Sequence, residues 1–202
     1  MSTTLTRSSS PGRWRTVDLV TAAVLGVAFG VVFWGWAVVY AALSPVFAVL
    51  APLSGLLGGV WLLPAVVGAL VVRRPGAALL AELVAASVEA LLGSHWGVGV
   101  LVSGAVQGLG VEIAVAVFAW KRWGVGVAVL GGVVAAVLEG VYELFAYFAG
   151  TWTLGFQVLY VACFALSGAL VAGVGGWALV RALARAGALG AFGAGRELHR
   201  RG

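Results

Sequence analysis

Residues Glu82–Glu112, ELVAASVEALLGSHWGVGVLVSGAVQGLGVE, read as two apolar helices joined by a short turn. Between them they carry three carboxylates (Glu82, Glu89, Glu112), His95 with Trp96 beside it, and Gln107. A charged group in the middle of a lipid-spanning helix costs about 3 kcal/mol even on lenient insertion scales, so such residues face a protein interior or a watery cavity and mark a function. The hairpin is therefore expected to form one wall of a polar pocket inside a membrane bundle.

The rest of the chain supplies that bundle. Of 202 residues 62% are hydrophobic and 9% charged, and the mean hydropathy is +1.10. Apolar runs long enough to cross a bilayer recur, so the fold class is an all-α, polytopic membrane protein. Six transmembrane helices are expected, over residues 17–43, 47–72, 77–93, 98–120, 125–149 and 154–180. The first run is too long for a signal-peptide core and lacks a cleavage site, so it reads as an anchored helix. The membrane domain covers 17–182, between a polar N-terminal tail (1–16) and a basic C-terminal tail (183–202). Gly35 between Trp34 and Trp36, with Pro45 following, suggests a break or re-entrant segment, and Pro52 and Pro64 predict kinks in the second span. The third span is short, at roughly 25 Å.

Charge sets the orientation. The net charge is +5, but the twelve basic residues fall in the two tails and in the alternate loops at Arg73, Arg74 and at Lys121, Arg122. That is a positive-inside pattern with both termini cytoplasmic in the plasma membrane, and it leaves no role for nucleic acid. Pro45, His95 and Thr151 then lie near the outer face. A single cysteine, Cys163, and two histidines exclude an internal disulfide and a zinc set, so no metal site is expected. No P-loop, HExxH or GxSxG signal is present, so neither nucleotide chemistry, a catalytic residue nor a cofactor is expected.

At 1.5 Å per residue, Glu89 and Glu143 lie roughly 6–9 Å below the outer surface, and Glu82, Gln107 and Glu139 roughly 15 Å down, near the midplane. Glu112 is deeper. Glu82 and Glu89 are seven apart and Glu139 and Glu143 four apart, so two helices each present a vertical pair of acids. No basic residue lies inside the spans to neutralise them. Trp34, Trp36, Tyr40, Trp96, Trp152 and Tyr160 gather at the outer ends, where an interfacial belt is the default reading; Trp61 and Trp177 read as belt or packing residues. Beside so many acids, Trp34, Trp36, Tyr40, Trp96 and Trp152 also suit a flat cationic or nitrogen-rich heterocycle, held by stacking and carboxylate hydrogen bonds. His95 stands at the mouth, and Gln107 and Gln157 can donate and accept there.

Small-residue rows mark close helix contacts: Gly55 and Gly59, Gly104 and Gly108, and Ala22, Gly26 and Gly30 on the first helix. The last row, free of polar residues, could serve internal packing or dock another membrane subunit. A polar pocket without an engine suggests a binding subunit energised elsewhere. A proton- or cation-conducting channel lined by the same acids is the alternative, and a membrane enzyme acting on a lipid fits less well.

The stretches WRTVDLVTAAVLGVAFGVVFWGW (14–36), RRPGAALLAELVAASVEALLGSHWG (73–97) and LVSGAVQGLGVE (101–112) resemble the YkoE-type substrate-binding (S) components of energy-coupling factor transporters. The likeness extends over about residues 14–182. It implies a six-helix S component that captures hydroxymethylpyrimidine or thiamine at the outer face. It also implies a transmembrane coupling subunit and two cytoplasmic ATPases as partners. By the same resemblance the Ala22, Gly26, Gly30 row would dock the coupling subunit, with glycine replacing two alanines of the usual pattern.

Overall fold

The computed structural model describes residues 14–47 and 49–199. Among them every regular element is helical: α1 (Thr16–Leu43), a 3-10 turn (Ser44–Phe47), a longer 3-10 segment (Ala51–Leu62) running into α2 (Leu63–Val72), and α3 (Ala77–Leu91). Then come α4 (Gly99–Ala116), α5 (Val125–Ala146), α6 (Leu154–Ser167), a π-helical stretch (Gly168–Gly175), α7 (Gly176–Arg185) and α8 (Gly193–His199). The chain crosses six times. Five crossings are long and apolar enough to span a bilayer by length and composition. The remaining crossing, α3, third in chain order, has 15 residues, about 22 Å of helix. All the loops bearing Arg73, Arg74, Lys121 and Arg122, with the start of α1 and the end of α7, share one end of the bundle, here called the basic end.

The second crossing explains why a cavity forms. Its basic half, α2, is buried at every position from Pro64 to Val72 and touches α1, α3, α4, α5 and α7 as a central pillar. Its other half is a 3-10 segment, begun with proline near its N-terminus, that packs chiefly on α6. The sequence predicts kinks at Pro52 and Pro64; the structure instead changes helix type, and the pillar gives way to open space beyond Leu62. Ser167 fixes the displaced half by accepting from the Gly59 N–H at 3.0 Å and donating to the Leu56 carbonyl at 2.6 Å.

Two sequence expectations need correction. No break occurs at Gly35: α1 continues to Leu43 and only then tightens into a 3-10 turn. The Ala22, Gly26, Gly30 row is not a free docking face. Ala22 is fully buried, and a Cβ placed on Gly26 or Gly30 would meet the Cβ of Val84 at 2.6 Å or of Val88 at 2.5 Å on α3. The small residues let the two helices touch within the chain, so a coupling subunit cannot use them. The outward face of α1 carries Val20, Val24, Val27, Val31 and Val38 instead. An equally close crossing joins α5 to the sixth span, where a Cβ on Gly132 would lie 2.1 Å from the Gly168 carbonyl oxygen.

The basic end is tied down by matched charges. Asp18, fully buried, accepts from the Arg15 guanidinium at 2.6 Å and lies 3.6 Å from Arg74. That hydrogen bond holds Arg15 above its ordinary pKa. Trp14 donates to the Pro75 carbonyl at 3.2 Å. Glu112 accepts from the Ala78 N–H at 2.9 Å, supplying a partner to one of the orphan donors at the start of α3.

Candidate functional site

At the opposite end, between the 3-10 segment and α1, α3, α4, α5 and α6, lies a cavity of about 240 Å³. Helical spacing puts its lining there. Phe33 and Tyr40, seven apart, share one face of α1; Glu82, Ala86 and Glu89 form a stripe on α3; Val100, Ser103, Gly104 and Gln107 do so on α4. Glu139 and Glu143 on α5, and Tyr160 and Phe164 on α6, are paired at four-residue spacing. Ser54, Gly58 and Trp61 come from the 3-10 segment, Trp96 from the α3–α4 turn, and Tyr147 and Phe148 from the end of α5.

The acids differ in what they touch. Glu82 accepts from the Ala65 N–H at 2.8 Å through Oε2, where the 3-10 segment becomes α2 and Pro64 has no N–H to offer. Among the described residues its Oε1 has no hydrogen-bond partner. Glu89 receives the Ser94 hydroxyl at 3.3 Å, and Glu143 receives the Tyr160 hydroxyl in a short hydrogen bond. Glu139 is fully buried, and among the described residues neither of its oxygens completes a hydrogen bond, although Ser103 and Gln107 lie within reach as polar neighbours. A buried carboxyl without complete hydrogen bonds is costly. Ser103 and Gln107 line the same cavity.

Two aromatic groups flank the acids. On one side Trp61 meets Tyr40 at 5.6 Å and Trp96 at 5.5 Å, both edge-on. On the other, Phe148 and Tyr160 meet at 5.6 Å, and Tyr160 and Phe164 at 6.1 Å. The described lining holds no lysine, arginine or histidine. Such a chamber suits a flat ligand that donates hydrogen bonds or carries positive charge, and disfavours an anion.

Of the residues singled out in the sequence, Tyr40, Glu82, Glu89, Trp96, Gln107, Glu139 and Glu143 come together in this cavity. Trp34, Trp36, His95 and Trp152 do not line it. Trp34 points outward at 44% exposure. Trp36 donates to the Leu57 carbonyl at 3.0 Å and rests edge-on against Trp61. His95 lies on Trp96 at 3.6 Å, and Trp152 stacks on Phe148 at 4.0 Å, so both stand behind a lining ring. Phe33, Ser54, Gly58, Trp61, Ser103, Tyr147, Phe148, Tyr160 and Phe164 are additional lining residues. Phe33 was within reach of the sequence, since it sits two helical turns before Tyr40. Tyr160 and Phe164 repeat the spacing of Glu139 and Glu143.

Comparisons with known proteins agree with this architecture. A family described as the permease component of an ABC-type cobalt transport system matches residues 17–138. A relative in Bacillus subtilis (strain 168), which carries the name HMP/thiamine permease protein YkoE, is 34% identical over 196 residues, 93% of this chain and 94% of its own. A solved structure, titled as the crystal structure of an S-component of ECF transporter, superposes with a TM-score of 0.88 at 33% identity, covering 94% of this chain and 95% of that one.

Proposed function

The chain belongs to the YkoE-type S components of energy-coupling factor transporters, and from that premise we propose that it captures hydroxymethylpyrimidine or thiamine at the outer face for ATP-driven uptake. Members of this family are multi-pass membrane subunits that bind a transported solute; the chain is not an enzyme. In this reading the cavity opens toward the outside and the basic end faces the cytoplasm of a cell whose plasma membrane holds the protein, in keeping with the positive-inside rule. A transmembrane coupling subunit and two ATPases supply the energy, docking on surfaces other than the Ala22, Gly26, Gly30 row.

The observation that carries the reading is Glu139, fully buried on the cavity wall with neither carboxyl oxygen in a complete hydrogen bond among the described residues and Ser103 and Gln107 within its reach, beside the unpartnered Oε1 of Glu82. An aminopyrimidine offers an amino group and a ring nitrogen to such acids and to Gln107, and a flat face to Trp61 or Trp96. A thiazolium ring would bring a positive charge toward Glu139 and Glu143. Transport of a metal ion, which the family description naming cobalt raises, is less well supported. Among the described residues no three His, Cys, Asp or Glu side chains converge to hold one.

Trp61 and Trp96 make binding visible. Titrating purified protein with thiamine and with hydroxymethylpyrimidine should change tryptophan fluorescence saturably, and Glu139→Gln should weaken binding about tenfold or more, the worth of a charge-assisted hydrogen bond in a dry site. Unchanged affinity in each of Glu82→Gln, Glu89→Gln, Glu139→Gln and Glu143→Gln would sink the proposed pocket. The channel reading predicts ion conductance in liposomes without ATPase subunits.

A further inference from the structure

The acid-lined cavity holds more carboxyl groups than it can ionise when empty. Glu82, Glu89, Glu139 and Glu143 line one space of about 240 Å³, and the described lining holds no lysine, arginine or histidine. The other titratable groups facing it are phenols: Tyr40 from α1, Tyr147 beyond α5 and Tyr160 from α6. His95 stacks on Trp96 outside the lining. The 3-10 segment and α2 carry no titratable side chain, and α4 carries only Glu112, bound to the Ala78 N–H at the basic end. Glu82, Glu89 and Glu139 are all buried, and Glu82 keeps one oxygen, Oε1, without a hydrogen-bond partner among the described residues. Glu139 is the electrical centre of the group. It stands four residues before Glu143, about 6 Å away at Cβ, and it interacts with the charges of both Glu143 and Glu82.

We infer that the empty cavity keeps at least one proton on the Glu82, Glu139, Glu143 group, and that an organic cation binds by taking that proton's place. This deepens the proposed capture of thiamine or its pyrimidine at the same site and rests on it. Like charges held this close, out of water and without a counterion, do not all ionise, so the group retains a proton until a cation arrives. The exchange leaves the charge of the site unchanged. A cation enters, one carboxyl gives its proton to the external water, and the carboxylate so formed faces the cation. No bond of the ligand changes, and the rings of Trp61 and Trp96 suit the incoming positive charge. A neutral aminopyrimidine needs no such exchange, because a proton shared between a carboxyl and its ring nitrogen stays inside the complex. The sign of the pH effect follows: binding that releases a proton strengthens as pH rises, until the empty group has lost that proton by itself.

Calorimetric titration of the full-length protein in detergent tests the exchange. Thiamine and hydroxymethylpyrimidine are each titrated in two buffers of different ionisation enthalpy, at a pH where the free pyrimidine is neutral. Thiamine should release about one proton, read as a buffer-dependent heat, and its affinity should rise by up to about tenfold per pH unit, the limit for one proton. Hydroxymethylpyrimidine should release none. Glu139→Gln, which removes the central acid and keeps its shape, should bind thiamine more weakly and without the buffer-dependent heat, while Glu112→Gln should release as the parent does. The titration of the unaltered protein needs no variant. Thiamine binding without proton release, an equal release by hydroxymethylpyrimidine, or an undiminished release in Glu139→Gln overturns the exchange and leaves capture standing, as does binding of hydroxymethylpyrimidine alone. If neither compound binds, capture itself falls and the exchange falls with it.

Discussion

Asp18 and Glu139, at opposite ends of this bundle, are equally buried and treated differently. At the basic end Asp18 is held by Arg15 and approached by Arg74, and Glu112 accepts from the start of α3. At the far end, among the described residues, Glu139 completes no hydrogen bond with either oxygen, Ser103 and Gln107 being its polar neighbours, and Glu82 has one oxygen of two left over. Burial alone therefore does not distinguish a structural carboxylate from a functional one. The distinction lies in whether the surrounding backbone and side chains complete its hydrogen bonds. The first kind fastens loops and helix starts; in the proposed function the second is completed by the ligand.

Several substitutions would break or sharpen this contrast. The largest loss of stability is expected from Asp18→Ala, which removes the buried carboxylate that Arg15 grips at the start of α1. About 2 kcal/mol is expected, less than for a wholly buried pair because Arg15 is half exposed. Thermal unfolding in detergent checks it, and vitamin affinity should stay within about twofold, the loss being remote from the cavity. Next, Trp61→Ala should weaken vitamin binding about tenfold by removing a stacking face. Trp34→Ala, at a side chain turned outward, should change affinity by less than about twofold, as expected for an exposed residue. Equal losses in the two titrations would mean the lining has been assigned to the wrong tryptophan. Smaller again, Glu112→Gln should cost about 1 kcal/mol through a weakened helix-start bond without touching affinity. A binding defect in that variant would move Glu112 into the functional group of acids.

The acids of the far end were legible in the sequence, the pairing of Asp18 and Glu112 was not, and the reasons are specific. The acids Glu82, Glu89, Glu139 and Glu143 could be placed in one chamber because intramembrane carboxylates without basic partners have few other places to point. Spacing then joined them into pairs. The aromatic lining was harder. Trp34 and Trp36 are two positions apart, roughly 200° around a helix, so both cannot face inward, and the turn of α1 against α3 selects neither as lining. Trp61 was hidden by a change of helix type: a 3-10 segment repeats every three residues, so the face it presents differs from the one an α-helical count gives. The small row on α1 carried no mark of its partner. Such rows permit a close contact without naming it, and here Val84 and Val88 of α3 fill it. The structural part of the Glu82 carboxylate also needed coordinates, because its bond to Ala65 depends on where the second span changes conformation.

The most direct measurement compares unaltered protein with Glu139→Gln for two quantities in one experiment: thermal stability without ligand, and the shift on adding thiamine or hydroxymethylpyrimidine. An acid kept unpaired for a ligand predicts a variant at least as stable as the parent when empty, and a ligand-induced shift that is largely lost. A variant that unfolds as readily as Asp18→Ala yet retains the full shift would show Glu139 to be a structural carboxylate, and the account of this cavity would be wrong.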